Sequence, residues 1–226
     1  MPKNKLYLIS LIIMVFLESF NLQTSSQINY LPLGDSYTIC TGANEKESWP
    51  LILTKHLNDA GIKTNLLDNP ARNGFSTQNL IDAELPLLKK LKPNFVTLLI
   101  GVNDWVREVP TATFKKNLIH IIEEVQKQLP KKSNFVLITI PDFGVTPQGM
   151  NYGGGRDISK GIAAFNIIIK EEAKKRDLTV VDIFEVSKKM KEDKTLVAAD
   201  GLHPSAKEYA VWETMIFPDV VKILKP

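Results

Sequence analysis

The chain has 226 residues, 44% of them hydrophobic and 23% charged, which is enough apolar mass for one globular core. Its formal net charge of +3 offers neither a basic stripe for nucleic acid nor an acidic tail. A single cysteine, Cys40, excludes an internal disulfide, and the three histidines are too dispersed to complete a structural zinc motif.

The first 26 residues differ from the rest. Lys3 and Lys5 precede an apolar run from Leu6 to Leu17, which Glu18 closes before a polar stretch ending Thr24-Ser25-Ser26. A short basic region, a short apolar region and small residues are the layout of a secretory signal. The expected cut lies near Ser26–Gln27, leaving residues 27–226 as the exported domain, secreted or periplasmic. The apolar run is shorter than the about 20 residues a membrane span needs, so no stable span is expected after cleavage. An uncleaved membrane anchor is the alternative.

From Gln27 onward, apolar runs alternate with helical patterns. Ile28–Leu33 reads as a strand, followed at once by Gly34-Asp35-Ser36. Trp49–Ala60 has helical spacing and stops at Gly61. Lys63–Leu67 is the next strand, and Thr77–Leu91 a helix with a kink expected at Pro86. Phe95–Ile100, bounded by Pro93 and Gly101, has the unbroken apolar character of a strand buried on both faces. Phe114–Leu129 is an amphipathic helix and Phe135–Ile140 a further buried strand. Ile158–Arg176 is helical, Thr179–Phe184 a strand, and Pro204–Leu224 a terminal helix that Pro218 should break or bend. The glycine-rich stretch Asp142–Asp157 is long for a connection, as lids and binding loops are.

This alternation predicts an α/β domain with a parallel sheet covered on both sides. In such a sheet, ligands bind beyond the carboxyl ends of the strands. Ser36, Asn73-Gly74, Asn103-Asp104 and Phe143-Gly144 all follow strands, so they converge on one edge.

Ser36 in Leu33-Gly34-Asp35-Ser36-Tyr37 is a candidate nucleophile, although a turn with a helix N-cap explains the same residues. His203, in Asp200-Gly201-Leu202-His203-Pro204, adds weight. Pro204 restricts the preceding residue to extended backbone, which fixes the imidazole near the same edge. Asp200, three residues earlier across a glycine turn, can fold back onto one ring nitrogen and orient it. His56 and His120 lie in helical patterns among charged neighbours. An oxyanion needs donors, and the backbone N–H groups of Ser36 and Gly74 and the side-chain amide of Asn103 could supply them. Trp105 could stack on a sugar, border an acyl slot, or simply pack under its loop. Cys40 has no histidine near it in sequence and reads as packing.

These four blocks resemble the SGNH hydrolases, also called GDSL-type esterases and lipases. The family's four named residues fall on Ser36 in Gly-Asp-Ser, Gly74 in Asn-Gly-Phe-Ser, Asn103 in Gly-Val-Asn-Asp and His203 in Asp-Gly-Leu-His-Pro, in family order. The first block continues with Tyr37 rather than leucine. The resemblance implies a flavodoxin-like α/β/α sandwich whose central five-stranded parallel sheet has the order 2-1-3-4-5. It also implies a Ser36–His203–Asp200 triad, an oxyanion hole of Ser36, Gly74 and Asn103, and no metal or organic cofactor. The expected partner is a small-molecule, carbohydrate or lipid ester. A carbohydrate O-deacetylase, a short-chain esterase, a lysophospholipase-like or thioesterase-like lipid hydrolase, and an inactive binding domain on the same fold remain open at this point. A phosphoester hydrolase is disfavoured, because the aspartates are not grouped as metal ligands.

Overall fold

The computed structural model describes residues 27–225. The expected signal segment lies outside the described residues.

Five parallel strands form one sheet: β1 (Ile28–Gly34), β2 (Thr64–Leu66), β3 (Phe95–Leu99), β4 (Phe135–Ile138) and β5 (Thr179–Val181). Their order is β2-β1-β3-β4-β5, as the resemblance implied. Every residue of β3 and β4 is buried, which is why those stretches read as unbroken apolar runs rather than alternating ones. Register places Gly34 beside Leu99, so the ends of β1 and β3 are level. The segments that follow them therefore emerge side by side.

Nine helices connect and cover the strands among the described residues: α1 (Ser36–Ile39), α2 (Trp49–Asp59), α3 (Thr77–Ala83), α4 (Leu85–Leu91), α5 (Val102–Val106), α6 (Thr111–Gln128), α7 (Ile158–Lys175), α8 (Phe184–Ser187) and α9 (Ala206–Leu224). They pack in two groups, α2 with α9 and α6 with α3, α4 and α7. Helix α6 buries Phe114, Leu118, Ile121, Ile122 and Val125, the stripe expected at 3.6-residue spacing. Phe114 meets Phe165 of α7 with ring centroids 4.1 Å apart.

Four expectations are corrected. The pattern Thr77–Leu91 is two helices rather than one kinked helix, because Pro86 near the start of α4 lacks the N–H that would continue α3. Pro218 does not end the last helix, which runs on to Leu224. The strand read at Thr179–Phe184 stops at Val181, and Phe184 opens α8. The stretch Asp142–Asp157 contains two short 3-10 turns, Phe143–Val145 and Gly149–Tyr152. The short helices α1 and α5 have too few residues for a periodic signal, yet they carry Ser36 and Asn103.

Candidate functional site

Gly34 brings β1 to an end under strong crowding. A Cβ there would lie 2.2 Å from Thr38 Oγ1 and 2.3 Å from the Leu99 carbonyl oxygen. The glycine is needed for this close approach of β1, β3 and α1, more than for a flexible turn. Asp35 follows as N-cap of α1, its Oδ1 accepting the Tyr37 N–H at 3.0 Å. The cap explanation and the placement of Ser36 thus coexist. Complete burial raises the Asp35 carboxyl to about 8, with the nearby Asp104 adding to the effect and the Tyr37 amide opposing it. Beneath the turn, Glu84 at the break between α3 and α4 accepts the Gly34 N–H through Oε2 at 2.9 Å. Glu84 is fully buried, and burial pushes its carboxyl well above the usual range.

His203 and Asp200 meet as the sequence spacing suggested. Asp200 Oδ2 lies 2.6 Å from His203 Nδ1, and Oδ1 accepts the backbone N–H groups of Leu202 and His203 at 2.9 Å each. Burial alone would raise this carboxyl. The Leu202 amide, the imidazole and the His203 amide outweigh it and hold the carboxyl below its ordinary value. An ionised Asp200 can only accept, so Nδ1 carries the proton and Nε2 presents its lone pair. Tyr37 sets its ring edgewise to the imidazole at 6.0 Å.

Asn103 Nδ2 donates to the Phe75 carbonyl at 3.0 Å, leaving the second amide hydrogen free to meet a ligand. Gly74 has φ +78, and its carbonyl accepts from Arg107 at 2.6 Å; Arg107 also donates to Asn79 at 3.2 Å. The one-turn helix α5 therefore fastens the Gly74 loop from both its ends. Asp104 adds a third tie, accepting the Thr77 N–H and hydroxyl at 2.8 and 2.5 Å.

Ser36, Asn103 and His203 line one cavity of about 90 Å³, walled by Val102, Val106, Phe143, Tyr152 and Leu202. Ser36 and His203 share it without a hydrogen bond between hydroxyl and imidazole among the described residues; such contacts are often long in a ligand-free site. Gly74 and Asp200 are not part of its lining. Trp105, considered for stacking on a sugar, is only 7% exposed and also stays out of the cavity. It packs against Gly161 and Phe143, with the Arg156 guanidinium carbon 4.0 Å from its ring centroid. The exposed aromatic at the rim is Tyr152 instead, 45% exposed on its 3-10 turn. Cys40 is buried as expected, and burial pushes its thiol far up. His56 lies 3.0 Å from Glu213, joining α2 to α9.

Sequence reasoning missed Glu84, Gly42 and Tyr152. Gly42 has φ +96, and a Cβ on it would meet Ala198 Cβ at 2.5 Å and the Pro204 carbonyl at 2.8 Å, so it lies directly against the His203 segment. A buried Glu within an apolar helical pattern was the one available signal for Glu84. Among the described residues, no three His, Cys, Asp or Glu side chains gather as metal ligands would, and no helix is long and apolar enough to cross a membrane.

Known proteins resemble this chain in sequence and in fold. The chain is 30% identical over 125 residues to a multidomain esterase of Ruminococcus flavefaciens, matching 54% of this chain and 15% of that one. It is 26% identical over 123 residues to the esterase TesA of Pseudomonas aeruginosa, matching 54% of this chain and 60% of that one. The matches thus span less than two thirds of either relative. The crystal structure of a lipase/acylhydrolase from Enterococcus faecalis superposes with a TM-score of 0.71 at 21% identity, covering 88% of this chain and 98% of that one, a likeness of fold. The model of the GDSL-like lipase/acylhydrolase family matches residues 33–211, and the chain belongs to that family.

Proposed function

We propose that this chain is a serine hydrolase of carboxylic esters, with Ser36 as nucleophile, His203 as general base and Asp200 as the residue that orients it. The observation that carries this reading is the 2.6 Å contact between Asp200 and His203, with His203 and Ser36 lining one cavity. His203 Nε2 takes the Ser36 hydroxyl proton as Oγ bonds to the ester carbonyl carbon. The Ser36 and Gly74 amides and the free hydrogen of the Asn103 side chain receive the oxyanion. Cleavage of the carbon–oxygen bond releases the alcohol, which takes the proton from His203. Water then repeats the sequence in reverse and frees the acid and the serine.

The cavity favours a short acyl group. Its volume and its walls of Val102, Val106, Phe143 and Leu202 suit acetyl or a slightly longer chain, and a long chain would have to leave across Tyr152. The alcohol is a sugar or another small molecule, so the reading is a carbohydrate O-deacetylase or short-chain esterase. Residues 1–26 act as a cleaved signal, and the enzyme works outside the cytoplasm.

The test is hydrolysis of nitrophenyl esters from acetyl to long acyl by residues 27–226, with Ser36→Ala as control. Turnover that requires Ser36 and declines with chain length is expected. Turnover that survives in Ser36→Ala would remove the nucleophile assignment, and a rising preference for long chains would replace the short-acyl reading by a lipid hydrolase. The amino-terminal sequence of the exported protein tests the cut: a terminus near Gln27 is expected, and an intact Met1 overturns it.

A further inference from the structure

Beside the cavity that holds Ser36 lies a second, open pocket of about 490 Å³ between Ile39–Ala43 and Ala71–Asn73. The two share one support. Helix α1 presents Ser36 and Tyr37 to the first pocket and Ile39 to the second, with its cap Cys40. The loop that forms the far wall is tied to the same helix: Asn69 Nδ2 donates to the Thr38 carbonyl at 3.0 Å, and the Thr41 hydroxyl, whose residue N–H reaches back to Ser36, bonds Asn73. Thr41 and Ala43 flank Gly42, which lies against the His203 segment. The second pocket therefore lies between the loop that leads into Gly74 and the segment that packs on His203.

The two pockets differ in chemistry. The first is small and walled by apolar side chains; the second is wide and offers Arg72, Asn73 and Thr41. Arg72 makes no ion pair among the described residues, and its guanidinium carbon lies 5.9 Å from the centroid of the Phe75 ring. A second guanidinium, Arg107, donates to the Gly74 carbonyl. Arg72 and Arg107 thus both lie on or against the loop that carries Gly74.

We propose that the Arg72 pocket is a leaving-group subsite that selects esters whose alcohol part carries an anionic group, such as an acidic sugar. Arg72 receives that carboxylate or phosphate through charge-assisted hydrogen bonds, while Asn73 and Thr41 accommodate neighbouring hydroxyls. The subsite rests on the esterase reading, since it describes the alcohol side of the same reaction.

The experiment compares kcat/KM for 4-acetoxybenzoate and 4-acetoxyphenyl phosphate with that for methyl 4-acetoxybenzoate, each corrected for its rate in alkaline buffer. The expected result is a preference of about tenfold for the anionic esters, reduced by 0.5 M salt because screening shortens the reach of charge. The larger gain of the two identifies carboxylate or phosphate as the group selected. Arg72→Gln should bring the ratio of anionic to neutral rates close to one, Arg72→Lys should keep part of it, and Arg72→Glu should invert it. Hydrolysis of the neutral ester with no anionic preference, or a preference that Arg72→Glu leaves intact, overturns the subsite while the esterase reading stands. Absence of any hydrolysis above that of Ser36→Ala overturns the esterase reading itself.

Discussion

Glu84 Oε2 sits 2.9 Å from the Gly34 amide, so the break between two helices supports the turn that presents Ser36. The contact is wholly buried. Removing the carboxyl would leave a main-chain N–H without a partner and open a void, and an unpaired buried donor costs about 1–3 kcal/mol. Glu84→Ala should therefore lower stability by about 2–3 kcal/mol in urea titration, while Glu84→Gln, which keeps an accepting oxygen, should cost less than half of that. Equal losses in both variants would show that charge, not acceptance, is what the fold uses.

Burial of Asp35 leads to a stability that depends on pH. Its folded value of about 8 lies above the ordinary aspartate range, so between roughly pH 4 and pH 8 the folded state binds a proton that the unfolded chain has released. The sign is therefore negative: stability is greatest near the lower limit and declines as pH rises toward 8. Glu84, shifted in the same direction, deepens the decline. In Asp35→Asn, whose amide oxygen can still accept from Tyr37, the urea midpoint should fall less between pH 5 and pH 8.5 than in the parent. An identical slope in the two proteins would mean that Asp35 ionises freely in the fold.

These buried acids also mark where the sequence ceased to be legible. Fully buried strands show as apolar runs, so β1, β3 and β4 were placed within two residues, and the sheet order followed from the family resemblance. Asp200 and His203 were legible because three residues and a glycine suffice to close the loop between them. Glu84 was not, because its partner is a main-chain amide 50 positions earlier and its place in an apolar helical pattern does not name that partner. Trp105 misled for a related reason. Adjacent to Asn103 in sequence, it lies on the far side of a one-turn helix, where Gly161 leaves room for its indole, and a Cβ there would come within 1.9 Å of Nε1.

The Asp200 carboxylate makes a specific tautomer of His203. In Asp200→Asn, the amide oxygen would stay with the Leu202 and His203 N–H groups, which need an acceptor, and its NH2 would face Nδ1. Nδ1 would then have to accept, placing the proton on Nε2, where it cannot take one from Ser36. A comparable change of tautomer costs about 10⁴ in kcat in a well-studied serine protease; with Asp200 partly exposed here, a loss of about 10²–10⁴ is expected with little change in melting temperature. Ester hydrolysis at pH 7 to 9 measures it, and a loss below threefold would make Asp200 a cap for the loop rather than a partner of the base.

Gly42 offers the sharpest separation between holding the fold and holding the site. At φ +96 an alanine is strained by about 1–3 kcal/mol, and its methyl group would press on Ala198 and the Pro204 carbonyl. Those atoms flank His203 at an antiparallel bridge outside the sheet, Val197 with Pro204, so the push bears on the base and leaves the five strands alone. A shift of about 1 Å in a reacting group can cost about 10²-fold in rate. Gly42→Ala should therefore lose about tenfold to 10²-fold in kcat while its far-ultraviolet circular dichroism stays that of the parent. Gly61→Ala, with φ +80 but nothing within 4 Å of the added carbon, is the control: it carries similar backbone strain without the push. If both variants lose activity equally, strain rather than displacement of His203 is responsible; a loss confined to Gly42→Ala locates the effect at the base.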